Sequence, residues 1–135
     1  MNFTESRLLG VRVNETGREA SLSIKEKSGA KFDLELHGVE RLWVNELRQQ
    51  NIIEDMVRWT AGEATADLRE TAFFLMTGVA EKDCGPQLAQ VASTVVDRVV
   101  RGELEMLEIT AVFGAQVIAS FASMTVRAVP ESNSC

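Results

Sequence analysis

The sequence has 135 residues, 45% of them apolar and 25% charged, and its formal net charge is −6. This length suits one domain with its own core, and this composition excludes a disordered chain. With a pI near 4.8, the chain repels phosphate backbones and anionic lipids, so we expect neither nucleic-acid binding nor membrane binding.

The location of the protein is predicted from three features. No run approaches the ~20 apolar residues of a membrane-spanning helix. The N-terminus lacks the basic stretch followed by an apolar one that a secretion signal would show. The two cysteines, Cys84 and Cys135, do not form a disulfide framework. We therefore expect a cytoplasmic protein with reduced thiols.

The N-terminal part predicts an antiparallel meander of three strands. Apolar residues alternate with other residues in three short runs, which are separated by turn-forming segments at 14–17 and 27–29. Alternation places one set of side chains on one side of each strand, so we expect one dry and one wet face. The apolar positions are Leu9, Val11 and Val13, then Ala20, Leu22 and Ile24, then Phe32, Leu34 and Leu36.

The middle of the chain is ambiguous. Residues 39–44 suit a fourth strand after Gly38, and residues 60–66 are small or polar and suit a loop. Residues 51–59 fit either a helix or a strand. We favour a strand, because a helix that starts at Asn45 would leave Trp59 off its apolar stripe.

The most strongly marked element is a helix over residues 86–101. Pro86 suits a first helical position, and Gly102 can take the left-handed conformation that ends a helix. Valine dominates the apolar stripe between them and is a poor helix former, so packing against a sheet must stabilise the segment. A second helix is predicted over 67–77, although residues 72–76 also suit a short buried strand.

The C-terminal part predicts a hairpin. Residues 104–109 and 115–126 look extended and are joined near residues 113–114. Between Met106 and Leu107 the alternation changes phase, as a bulge would cause. The last strand is apolar on both faces, so we expect it to lie centrally in the sheet or to face a second subunit.

The predicted fold class is therefore α+β. A mostly antiparallel sheet, made of the N-terminal meander and the C-terminal hairpin, is covered on one face by the long helix at about 86–101 and by the second at about 67–77. We expect its other face to be wet or paired with a second copy. We expect residues 1–129 to form a single domain and residues 130–135 to form a flexible tail.

Candidate site residues are few. His37 is the single histidine and has Glu40 three residues later, but a zinc site needs more protein ligands, so we predict no metal and no cofactor. Cys84 precedes the N-terminus of the long helix, which lowers a thiol pKa, but acidic neighbours oppose this effect. Trp43 and Trp59, with His37 and Cys84, are the candidates for lining a ligand pocket between helix and sheet.

The leading functional hypothesis is a non-enzymatic protein-interaction module, since no catalytic motif or phosphate-binding loop is present. We expect a homo-oligomer, most simply a homodimer, or an inhibitor-like protein whose carboxylates meet a basic protein partner. The alternative is a small-ligand carrier or enzyme. The candidate interface residues lie on the apolar last strand and are Ile118, Ala122, Met124 and Val126.

Overall fold

The computed structural model describes residues 3–47, 51–62, 65–79, 89–112 and 115–130. These residues form eight antiparallel strands in one sheet and two helices, which confirms the α+β fold class. The strands are β1 (Arg7–Val13), β2 (Glu19–Lys25), β3 (Lys31–His37), β4 (Arg41–Asn45), β5 (Asn51–Trp59), β6 (Glu105–Ala111), β7 (Gln116–Phe121) and β8 (Ser123–Val129). The helices are α1 (Ala66–Thr77) and α2 (Ala89–Val100). Neither described helix has the length and apolar character needed to cross a bilayer.

The strand order across the sheet is β4-β7-β6-β5-β1-β2-β3-β8. Its two halves, β1-β2-β3-β8 and β5-β6-β7-β4, are joined where β1 and β5 pair through Arg7 and Leu8. Residues from both halves, such as Leu22 and Val117, share one buried cluster. The sheet therefore folds over, so that the inner faces of its two halves pack against each other.

A long two-stranded ribbon connects the halves a second time. β3 pairs with β8, and β4, which follows β3 after three residues, pairs with β7. The ribbon bends where Gly38 faces Ala122. Gly38 has a φ of +65°, and a Cβ built on it would lie 2.9 Å from the Ala122 Cβ. This corner consequently requires glycine.

The inner face is dry, as the alternation of β2 and β3 predicts. Leu22, Ile24, Leu34 and Leu36 are fully buried there. β1 differs from the prediction, because its register shifts between Leu8 and Gly10. That shift leaves Leu8 buried and exposes the predicted core residue Leu9, whereas Val13 stays in register with the buried Ala20 but is also exposed.

The helices cover the outer face of the half formed by β5, β6, β7 and β4. Val95 and Val99 of α2 join Leu68 and Ala72 of α1 in a cluster with Met106 and other outward residues of β6 and β7. The valine-lined helix thus packs on a sheet, as predicted. The opposite side of that half is neither wet nor paired with a second copy, because the other half of the same sheet covers it.

Both ambiguous segments are settled by the structure. Residues 51–59 form a strand, as predicted, and residues 72–76 belong to α1 rather than to a strand. α1 begins after Thr65, whose hydroxyl accepts a hydrogen bond from the Leu68 N–H, and ends at Gly78 in the left-handed conformation. α2 confirms the long helix over 89–100, whereas its predicted start at 86–88 lies outside the described residues.

Two predictions about the C-terminal strands are wrong. β6 runs through Met106 and Leu107 without a bulge. Both residues are buried, because Met106 faces the helices while Leu107 faces the inner core. The predicted strand over 115–126 is two strands with a bend at Ala122, and β8 continues to Val129. The turn predicted near 113–114 and the tail after residue 130 lie outside the described residues.

Candidate functional site

Polar side chains cover the outer side of β1, β2, β3 and β8, which we call the polar face. Alternation points the odd-numbered residues of β2, β3 and β8 outward there, while even-numbered residues such as Leu22 and Leu34 enter the core. The strand register places one residue of each strand in a row across the centre of this face. The row consists of Arg12, Ser21, Glu35 and Thr125.

An arginine on β8 ties one end of the polar face together. The guanidinium of Arg127 donates to Glu35 Oε1 at 2.6 Å and to Asp33 Oδ2 at 2.8 Å. Ser23 Oγ donates to the other oxygen of Asp33 at 3.2 Å. The hydrogen bond to Glu35 raises the pKa of Arg127 above its ordinary value. Arg127 therefore stays charged, and its charge is neutralised by two carboxylates.

The imidazole of His37 lies between a carboxylate and a hydroxyl. Its Nδ1 is 2.7 Å from Glu19 Oε2, and its Nε2 is 3.1 Å from Thr125 Oγ1. This order of groups is also found where a histidine activates a nucleophilic hydroxyl. Here, however, Thr125 is not among the residues that line the neighbouring concavity. Because the imidazole joins side chains of β2 and β8, we assign it to linking these two strands to β3.

The concavity next to His37 has a volume of about 360 Å³. Its floor is the small residue Ser21, and its walls are longer side chains from β1, β2, β3 and β8. Volumes of this size suit small organic molecules. The residues that line it are Arg12, Val13, Asn14, Glu19, Ala20, Ser21, Glu35, His37 and Arg127.

The other predicted pocket residues lie elsewhere. Trp59 is buried between helices and sheet, and Trp43 packs edge-to-face on Phe74 with ring centroids 4.8 Å apart. These aromatic rings fill the space in which a pocket was expected, on the opposite half of the sheet from His37. Cys84 lies outside the described residues, and the described residues contain no group of side chains suited to a metal ion.

The predicted interface residues fall into two groups. Ile118 is buried under the helices, which explains why the last strand is apolar on both faces without a second subunit. Ala122 is exposed at the bend, Met124 is half-buried, and Val126 is 37% exposed. The last two lie on β8, whose described pairing is with β3 on one side. Strand β8 is therefore an edge of the sheet.

Sequence reasoning missed Arg12, Ser21 and Arg127 as members of one site. The alternation of β2 and β3 correctly marks a polar face, but it does not say which polar residues of separate strands become neighbours. Pairing of the last strand with β3 brings Arg127 to Asp33, which is 94 residues away in sequence. These residues become neighbours only through the strand order, which the sequence pattern does not give.

Comparison of the chain with protein-family models, with curated proteins and with solved structures found no match in any of the three. The class that the fold and the site define is an acidic α+β domain with a polar sheet face and an exposed edge strand.

Proposed function

We propose that the protein is a non-enzymatic interaction module and that it pairs with a second copy through β8. The observation that carries this proposal is the exposure of the β8 edge. Thr125, Val126, Arg127 and Ala128 are all exposed, although the strand pairs with β3 over its full length. An edge strand with unpaired backbone groups is a template for another strand.

The β8 edge lacks several features that block edge pairing. Its register with β3 is continuous from Ser123 to Val129, so no bulge twists it away from a partner. It carries a single charged side chain, Arg127, and the carboxylates of Asp33 and Glu35 neutralise that charge. Proline appears only after the strand, at residue 130. The edge is thus free of bulges and nearly uncharged.

A second copy fits this edge for a reason of symmetry. Two antiparallel β8 strands centred on Val126 place the two Val126 side chains opposite each other. In the same register Met124 faces Ala128, and Thr125 faces Arg127. No two like charges then lie directly opposite, an arrangement that favours cross-strand pairing. The net charge of −6 repels two copies over most of their surface, so this neutral edge is the favoured place of contact.

The expected affinity is modest. Pairing of one seven-residue strand buries less surface than a standard interface. We expect a dissociation constant on the order of 10 µM, which corresponds to about −7 kcal/mol. We also retain the cytoplasm as the proposed location, which is supported by the lack of a disulfide framework in the cysteine pattern.

Sedimentation velocity on two matched variants tests the proposal. Val126 in β8 and Val44 in β4, the other edge strand, are each 37% exposed. We expect wild type and Val44→Lys to dimerise at high micromolar concentration and Val126→Lys to be monomeric, because facing lysines repel. A wild-type monomer at that concentration overturns the proposal, and so does a dimer that survives in Val126→Lys.

A basic protein is the other partner class, because the acidic surface attracts positive charge. Its test is capture from native extract on immobilised wild type and Val126→Lys at low and high salt. A basic partner that is released by salt and is retained equally by both variants would place that contact away from β8.

A further inference from the structure

The floor of the concavity holds a polar atom without a partner. Ser21 Oγ is shielded from water and has no hydrogen-bond partner in the described structure. Leaving a buried hydroxyl unpaired costs about 1–3 kcal/mol. Ser23, two residues further along the same face of β2, avoids this cost by donating to Asp33. Ser21 therefore offers a hydrogen bond that no described residue takes up.

A cation without a described ion-pair partner stands on one side of Ser21. Arg12 is directly opposite Ser21 in the pairing of β1 with β2, and its side chain is exposed. No salt bridge links it to another described residue, in contrast to Arg127 and Arg98. Its guanidinium can therefore bind a carboxylate through two parallel hydrogen bonds.

Two carboxylates with unused oxygens also line the concavity, Glu35 on β3 opposite Ser21 and Glu19 two residues before Ser21 on β2. Glu19 uses Oε2 for His37, and Glu35 uses Oε1 for Arg127. In the described part of the chain, the second oxygen of each carboxylate accepts no hydrogen bond. These oxygens can accept from an ammonium group, which offers three donors. The concavity is thus lined by Arg12, which has no described ion-pair partner, and by two carboxylates that each keep one oxygen unused beside their contacts to His37 and Arg127.

We propose that this concavity binds a small zwitterion, with its carboxylate on Arg12 and its ammonium on Glu19 and Glu35. Neighbouring strands are about 4.8 Å apart, so the backbone positions of Arg12 and Glu35 are about 10 Å apart across Ser21. The side chains reach inward and leave room for a short ω-amino acid. Binding draws the covering side chains aside and gives the Ser21 hydroxyl its missing partner.

This inference does not depend on the β8 interface. The proposed ligand contacts Arg12, Ser21, Glu19 and Glu35 belong to β1, β2 and β3, whereas strand pairing at β8 uses backbone groups at the edge. Loss of dimerisation in Val126→Lys should leave the concavity intact. Failure of the ligand site would equally leave the dimerisation result unchanged.

Titration of ¹⁵N-labelled full-length protein, followed by NMR, tests the site. The probes are β-alanine and γ-aminobutyrate, compared with propionate, which has only the anion, and propylammonium, which has only the cation. We expect the amides around Ser21 to shift with a zwitterion at millimolar concentration and at least tenfold more weakly with either single-charge probe. Equal response to propionate, or no response to a zwitterion at 100 mM, overturns the proposal.

Two serine variants separate binding from folding. Ser21→Ala removes an unpaired buried hydroxyl, so it should raise the melting temperature of the unliganded protein while weakening the zwitterion about tenfold. Ser23→Ala is the matched control and should leave binding unchanged. Arg12→Gln should also weaken binding about tenfold. If Ser21→Ala binds as tightly as wild type, or if Ser23→Ala weakens binding equally, the assigned contacts are wrong.

Discussion

The corner where Gly38 meets Ala122 predicts a large loss of stability on substitution of the glycine. A side chain at Gly38 sits in the left-handed region, at φ +65°, which costs about 1–2 kcal/mol. Its Cβ would also lie 2.9 Å from the Ala122 Cβ, and such overpacking costs about 1–3 kcal/mol. We therefore expect Gly38→Ala to lower the free energy of unfolding by about 2–5 kcal/mol.

Gly17 provides the control for this prediction. It has a similar φ, +75°, but an added Cβ there meets nothing within 4 Å, so Gly17→Ala should show the backbone cost alone. The double variant Gly38→Ala with Ala122→Gly should recover the steric part. Urea unfolding measures all four proteins. If Gly38→Ala costs no more than Gly17→Ala, the close approach at the corner does not constrain the ribbon.

Three further predictions concern charges and a helix cap. Burial raises the pKa of Glu108, whose carboxylate accepts a hydrogen bond from Gln116. The folded protein therefore loses stability as the pH rises through that pKa. In urea unfolding, Glu108→Gln should stabilise the fold at pH 7 but not at pH 3. Hydrogen bonds from Arg98 lower the pKa of Glu40, so this ion pair stabilises the fold at pH values above the ordinary carboxyl pKa. Arg98→Gln should lower the free energy of unfolding by about 0.5–1 kcal/mol at pH 7 and by less as the pH falls. An undiminished cost at pH 3 would contradict that assignment. Thr65→Ala removes the N-cap of α1 and should lower the free energy of unfolding by about 1 kcal/mol in thermal unfolding. Serine also caps helices, so an equal loss in Thr65→Ser would contradict the N-cap explanation.

The local elements were predictable where one physical signal dominated. Alternation marks β2 and β3 because their inner residues face one core and their outer residues face water. The valine stripe of α2 predicts a partner surface, and residues such as Met106 supply it. In these cases a short sequence window contains the whole cause.

The long-range arrangement could not be predicted, because its causes lie outside any short sequence window. β6 and β7 are buried on both faces, so alternation there does not show which side chains face which layer, and the phase change at Met106 only resembles the pattern of a bulge. The bend at Ala122 depends on Gly38, which is far away in sequence. The pairing of β3 with β8 decides which side chains line the candidate site, and no local pattern reports it.

The ribbon formed by β3, β4, β7 and β8 can be completed only late in the synthesis of the chain. The hydrogen bonds from Arg127 to Glu35 and Asp33 join residues 92 and 94 positions apart. Strand β3 therefore pairs with β2 alone until residues 123–129 have left the ribosome. A nascent chain ending before that point exposes one side of β3 and lacks the closing strand. Ribosome-bound intermediates of this length should accordingly remain sensitive to protease, and resistance should appear in one step once β8 has emerged.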